Sequence, residues 1–128
     1  MAVTYTTAVK NARLDAVTTA AGATAVLEIG TSSLSGDTGI LATVALNNPI
    51  AAGAAAGVLT LAGFPKSDSS ADNTGTAAKA QIRTAFGGTN IVTDLTVGLS
   101  ATDIILDSLS ITAGQTVTIN ASPTITHA

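Results

Sequence analysis

A chain of 128 residues is long enough for one domain with its own core, and without a single Cys it has neither a disulfide framework nor a thiolate metal site. Five basic against eight acidic side chains, with no polybasic run, give no electrostatic footprint for nucleic acid. Much of the 46% apolar fraction is Ala, aromatics are 2%, and only 10% of residues are charged against about 25% in an ordinary globular domain, so the surface must be built from Thr, Ser, Asn and backbone, which suits packing against other subunits.

Met1 to Thr6 lacks a charged region followed by an apolar run, so it does not read as a secretory signal, and cytosolic synthesis is expected. From about Thr6 to Ala21, Ala8, Val9, Ala12, Ala16 and Val17 recur at three- and four-residue spacing, which predicts a helix packed through a stripe of small side chains. Lys10, Asn11, Arg13 and Asp15 fall largely on its other side. Thr6 or Thr7 is the candidate N-cap and Gly22 the candidate left-handed stop.

After Gly22 the texture turns to strands. Ala25 to Ile29 is the first, and Gly30 to Gly39 reads as a surface loop rich in Gly, Ser and Thr. Ile40, Ala42, Val44 and Leu46 alternate along the next strand. No charge occurs from Ile40 to Phe64, a length that would cross a bilayer, which takes about 20 apolar residues. Asn47-Asn48-Pro49 and three following glycines instead divide it into two buried strands joined by an Ala/Gly loop, the second strand being Val58 to Leu61. Lys66 to Gly75 reads as a polar, turn-rich loop without core residues.

Ala78, Ala80, Ile82, Thr84 and Phe86 then alternate with Lys79, Gln81, Arg83 and Ala85. Gly87-Gly88-Thr89 predicts a hairpin into a return strand, Asn90 to Val97. Short strands follow at Asp103 to Leu106, Ser108 to Ile111, Gln115 to Asn120 and Thr124 to Thr126. The whole reads as a single domain, 1–128, with a helix over about 6–21 and a β-sandwich over about 25–126 built from about eight short strands. The fold class is mainly β: an antiparallel β-sandwich or jelly-roll-like barrel with one N-terminal α-helix.

Catalytic chemistry finds little to work with, and no enzyme activity is expected. The one His, His127, sits next to the chain end, where no third group is expected to hold its ring. One His and no Cys leave too few ligands for an intrachain zinc site. Glu28 is the sole Glu, and Asp103 and Asp107, four apart, read as strand-terminating residues that bond local turn backbone rather than as a glycosidase pair. The weak candidate for a metal is a calcium loop at Asp68, Asp72 and Asn73, which lacks the spacing and bidentate Glu of an EF-hand. Gly87-Gly88 is no phosphate cradle, because no Lys-Ser/Thr pair follows. No catalytic residue and no cofactor is assigned.

The C-terminal half, GTAAKAQIRTAFGGTNIVTDLTVGLSATDIILDSLSITAGQTVTI, runs as an alternating strand, a Gly turn, a return strand ending in Thr-Val-Gly, an Asp-Ile-Ile-Leu-Asp segment and a final short strand. With the opening Tyr5-Thr6-Thr7-Ala8-Val9 to Leu14 and the closing Thr124-Ile125-Thr126-His127, nearly the whole chain resembles small structural proteins of tailed bacteriophages and prophages. That resemblance implies a virion protein on the capsid surface, with no catalytic residues to carry over. Its expected role is capsid decoration, or cement, binding the major capsid protein as a dimer or trimer and stabilising the mature head by mass action and avidity. The helix and the Ala51 to Gly57 loop are the candidate docking elements, with capping of the sandwich as the other role open to the helix. The competing role is a tail, head-fibre or other appendage component that binds carbohydrate or a host surface. No nucleic acid or membrane partner is expected.

Overall fold

A computed structural model describes residues 3–126. One helix, α1 (Thr7–Ala21), precedes eleven strands: β1 (Val26–Ser35), β2 (Thr38–Ala45), β3 (Val58–Thr60), β4 (Lys66–Asp68), β5 (Gly75–Thr76), β6 (Lys79–Arg83), β7 (Asn90–Gly98), β8 (Ile104–Ile105), β9 (Ser110–Ile111), β10 (Val117–Ile119) and β11 (Thr124–Thr126). The fold is therefore mainly β with one N-terminal helix, as expected. Five strands form a curled sheet in the order β2-β1-β6-β7-β8, antiparallel except for the β7–β8 pair. Three two-stranded ladders, β3–β11, β4–β10 and β5–β9, supply the remaining pairings, and Leu106 bridges to Ile119.

The core follows from period-two alternation. Leu27 pairs with Ile82 and Ile29 with Ala80 across β1–β6, while Val44 and Ala42 continue that face onto β2. Ile104 of β8, Leu59, Ile111 and Ile119 of the two-stranded ladders, and Leu61 just beyond β3 join the same buried cluster. Each such Leu or Ile contributes about 1.5–3 kcal/mol on leaving water. The uncharged stretch from Ile40 to Phe64 is, as expected, two strands, β2 and β3, joined by an Ala/Gly loop, and no helix among the described residues is long and apolar enough to cross a membrane.

Among the strands and their connections, three expectations need correction. Gly30 to Gly39 is not a loop: β1 runs through it to Ser35, and β2 returns from Thr38. The ladder register jumps from Gly30↔Ile40 to Ser35↔Thr38, so Thr31 to Leu34 on β1 bulge out opposite Gly39. A Cβ on Gly30 would lie 2.5 Å from the Gly39 carbonyl oxygen, so this close crossing needs glycine. Lys66 to Gly75 is likewise not a loop without core: it contains β4, the start of β5 and the buried Ala71. It runs beside β2, where Asp72 N–H donates to the Leu41 carbonyl at 2.7 Å and so covers a sheet edge. Phe86 does not face inward with Ile82. β6 ends at Arg83, a turn closes through Gly88 N–H to the Ala85 carbonyl at 2.9 Å, and Phe86 stands exposed in it.

The helix is capped as expected. The Thr6 hydroxyl accepts from Val9 N–H, and Gly22 at φ 71 ends it with its N–H on the Thr18 carbonyl. Its orientation is the reverse of the expected one. Leu14 and Ala21 are buried and Val17 half-buried, whereas Ala8, Val9, Ala12 and Ala16 face solvent. The reason lies in the polar side chains. Asn11 Oδ1 accepts from Gly57 N–H at 2.9 Å and Asp15 Oδ1 from Ala54 N–H at 2.7 Å, so the side carrying them is tied to the Ala/Gly loop. That loop closes in a tight two-residue turn at Ala56 (φ 53) and Gly57 (φ 74), which leaves the Gly57 N–H free to reach Asn11. Small Ala side chains bury too little area to outweigh these bonds.

Candidate functional site

The sequence-predicted site residues are scattered. Asp68 spends both carboxylate oxygens on backbone: Oδ2 accepts from Thr43 N–H at 2.9 Å and Oδ1 from Ser70 N–H at 3.0 Å. Asn73 Nδ2 donates to the Ile40 carbonyl at 2.9 Å. Asp68 and Asn73 thus use their side chains, and Asp72 its backbone N–H, to fasten this segment along β2, and the described residues contain no group of three His, Cys, Asp or Glu placed to hold a metal ion. Asp103 Oδ2 accepts from the Thr96 N–H at 2.9 Å, a donor inside β7 rather than in a turn, and pins the connection from β7 to β8. Asp107 bonds instead to a side chain, the Asn120 amide, at 2.6 Å. His127 lies outside the described residues.

Two features were not foreseen. The first is a buried polar seam on the face of β1 and β6 opposite the apolar core. Glu28 is paired with Gln81 across the ladder, and Val26 with Arg83. All three polar residues are almost inaccessible, Glu28 completely so. Gln81 Nε2 donates to Glu28 Oε1 at 2.7 Å and to the Gly36 carbonyl at 2.8 Å. Arg83 reaches Glu28 at 3.4 Å and Asp37 at 2.7 Å through Nη1, and its Nε and Nη2 converge on the Gly88 carbonyl at 3.1 and 2.7 Å. The tip of the β1–β2 hairpin therefore folds over the seam and is held there by Gln81 and Arg83. The bond to Asp37 raises the Arg83 pKa above its ordinary value; burial opposes this, and the charges of Glu28 and Asp37 add to the rise. Glu28 Oε2 has no hydrogen-bond partner, so Arg83 is the group that keeps this carboxylate from being an isolated buried charge.

The second is a cavity of about 380 Å³ beside the seam. Its lining is the bulged segment Ser32 to Ser35, then Lys79 and Gln81 of β6, and Asn90, Thr93 and Asp94 of β7. Both bounding strands are irregular there: the β6–β7 register shifts on either side of Ile82, and Asp94 adopts φ 58. Lys79 and Asp94 form an ion pair across the rim at 3.1 Å.

Sequence carried a signal for the seam. A lone Glu inside Ala25-Val26-Leu27-Glu28-Ile29 must find a cation or a donor if the strand is buried. Nothing in the sequence marks the cavity, because it exists only where two bulges face each other.

The helix supplies a third surface. With its polar side tied down, it turns outward a nearly uncharged face of Ala8, Val9, Ala12, Ala16 and Ala20, with Tyr5 at 40% and Val9 at 44% exposure. The Arg13 guanidinium lies 4.5 Å over the Tyr5 ring at the edge of this face. Residues 52, 53, 55 and 56 of the Ala/Gly loop are also exposed. No family model, curated protein or solved structure matches the chain.

Proposed function

We propose that this chain is a non-enzymatic virion structural protein of a tailed bacteriophage, a decoration or cement protein that binds the major capsid protein on the outer coat lattice and stabilises the mature head. The observation that carries the reading is the orientation of α1: it is anchored to the Ala/Gly loop through Asn11 and Asp15 and presents its apolar, small-residue face outward. Covering such a face requires almost no desolvation of charge, and small side chains admit a close-packed partner backbone. A helix of 15 residues is only about 22 Å long, so one such face falls well short of the roughly 1,000 Å² of a stable interface. Repeated engagement of a dimer or trimer on a symmetric shell makes up the difference through avidity. The curled, antiparallel-rich sheet goes with a jelly-roll-like sandwich, and the family resemblance of the C-terminal half points to the same class of protein.

The test is sedimentation of purified protein with mature and with unexpanded precursor shells of the phage that encodes it. Saturable binding to mature shells at a fixed copy number per coat subunit is expected, with binding lost in Ala12→Glu, an exposed helix position where the change leaves the fold intact. No binding to either shell overturns the decoration role and directs the search to tails and fibres.

A further inference from the structure

The cavity between the bulged segment of β1 and the irregular strand β7 has the chemistry of a ligand site distinct from the helix face. Its floor holds Gln81, 2% exposed. Both hydrogens of its amide are committed, one to the Glu28 carboxylate and one to the Gly36 carbonyl. Each of those partners is an acceptor, which fixes which end of the amide is nitrogen. The Gln81 carbonyl oxygen is then the atom it has left for the cavity it lines, and the two bonds hold that acceptor rigidly in place. Around this floor stand the Ser32, Ser33, Ser35 and Thr93 hydroxyls. None of them is engaged in a hydrogen bond within the described residues, and each can donate or accept. The rim charges, Lys79 and Asp94, cancel in their own ion pair. Apolar lining is confined to Leu34, itself buried.

We propose that this cavity binds a small neutral polyol, specifically a hexose or N-acetylhexosamine. Neutrality follows from the cancelled rim charge, and hydroxyl richness from a lining of groups that both give and take hydrogen bonds. At about 380 Å³ the site lies near the lower end of small-molecule pockets, a size for one sugar ring rather than a larger ligand. The absence of an aromatic platform in the lining removes stacking, so affinity rests on hydrogen bonds and is weak, in the millimolar range. The opening to solvent lets the rest of a glycan chain extend outward. The inference does not depend on the decoration role, which is scored on shell binding through the helix face.

The experiment is a titration of isotope-labelled protein with glucose, galactose, N-acetylglucosamine and N-acetylgalactosamine, followed by backbone and side-chain amide NMR shifts. The expected result is saturable shifts from at least one sugar at Ser32 to Ser35, Asn90 to Asp94 and the Gln81 side-chain amide. Thr93→Arg and, independently, Ser32→Arg place a long side chain in the cavity from exposed positions, and each is expected to weaken binding by about tenfold or more while leaving the remaining spectrum native. Absence of saturable shifts with all four sugars overturns the proposal. So do shifts that persist undiminished in a blocked variant with a native spectrum.

Discussion

At its centre the β1–β6 ladder is buried on both faces, and the two are held by different physics. On one side Leu27 meets Ile82 and Ile29 meets Ala80; on the other Glu28 meets Gln81, with Arg83 one step along. The apolar face is stabilised in proportion to the area it removes from water and the density with which it packs. The polar face gains little net energy from being buried. What it has is complementarity: every donor of Gln81 and Arg83 named above ends on an acceptor, and each lost partner strands the one left behind. Depth alone therefore does not predict how a position responds to substitution. An apolar position should respond to lost volume, a seam position to lost pairing.

The largest effect is expected on the apolar face. Leu27→Ala leaves a cavity in the centre of the sheet and should cost about 4 kcal/mol in urea unfolding, since no neighbour can collapse into a space framed by two paired strands. Arg83→Met comes next at about 3 kcal/mol. Its volume is nearly kept, so the loss measures the Glu28 carboxylate left without its cation. Because the folded state raises the Arg83 pKa, its contribution is complete at every pH below the unfolded value and disappears only as pH climbs through the still higher folded value. The stability gap between wild type and Arg83→Met should accordingly not shrink from neutral to mildly alkaline pH. A gap that closes over that range would place the effect on some other group.

A double replacement separates the two kinds of burial most cleanly. Glu28→Met with Arg83→Met removes both charges and fills the seam with apolar atoms. It should lie within about 1 kcal/mol of wild type, recovering about 2 kcal/mol of the Arg83→Met loss, so that the coupling energy exceeds that recovery by whatever Glu28→Met costs alone. No second substitution can restore Leu27→Ala in this way without refilling its volume. Additive losses in the double mutant would show that the seam is not coupled and that Arg83 acts through the Gly88 carbonyl instead.

The contrast between faces also explains what could be read from the sequence. Apolar alternation marked Ile40, Ala42, Val44, Leu46, Ala80 and Ile82, all of them buried, because period two and burial share one cause. The helix caps at Thr6 and Gly22 were legible for a similarly local reason. Polar stretches were not. The strand through Thr31 to Ser35 is a strand only because β2 returns beside it and Gly30 allows the crossing. The edge-covering role of Asp68 and Asn73 depends on acceptors and donors on β2, about 25 to 33 residues away. The face that α1 presents was decided by Asn11 and Asp15, whose partners lie 46 and 39 residues further on. In each case a hydrogen bond distant in sequence outweighed a local pattern of weak apolar content.

The smallest expected effect tests which carboxylate carries the seam. Asp37 makes the shorter contact with Arg83, 2.7 Å against 3.4 Å for Glu28, and its bond is the leading cause of the raised Arg83 pKa. By distance alone Asp37 is the stronger partner. Its side chain, however, is 73% exposed, while that of Glu28 is fully buried. Water screens the first pair and not the second, and an exposed carboxylate that loses Arg83 is simply rehydrated. Asp37→Asn should therefore cost no more than about 1 kcal/mol globally. Its effect should be local: faster amide hydrogen exchange from Ser33 to Thr38, where the hairpin tip lifts, with protection at Leu27 and Ile82 unchanged. A global loss as large as that of Arg83→Met would reverse the assignment and make the hairpin tip, rather than Glu28, the partner that Arg83 is buried to serve.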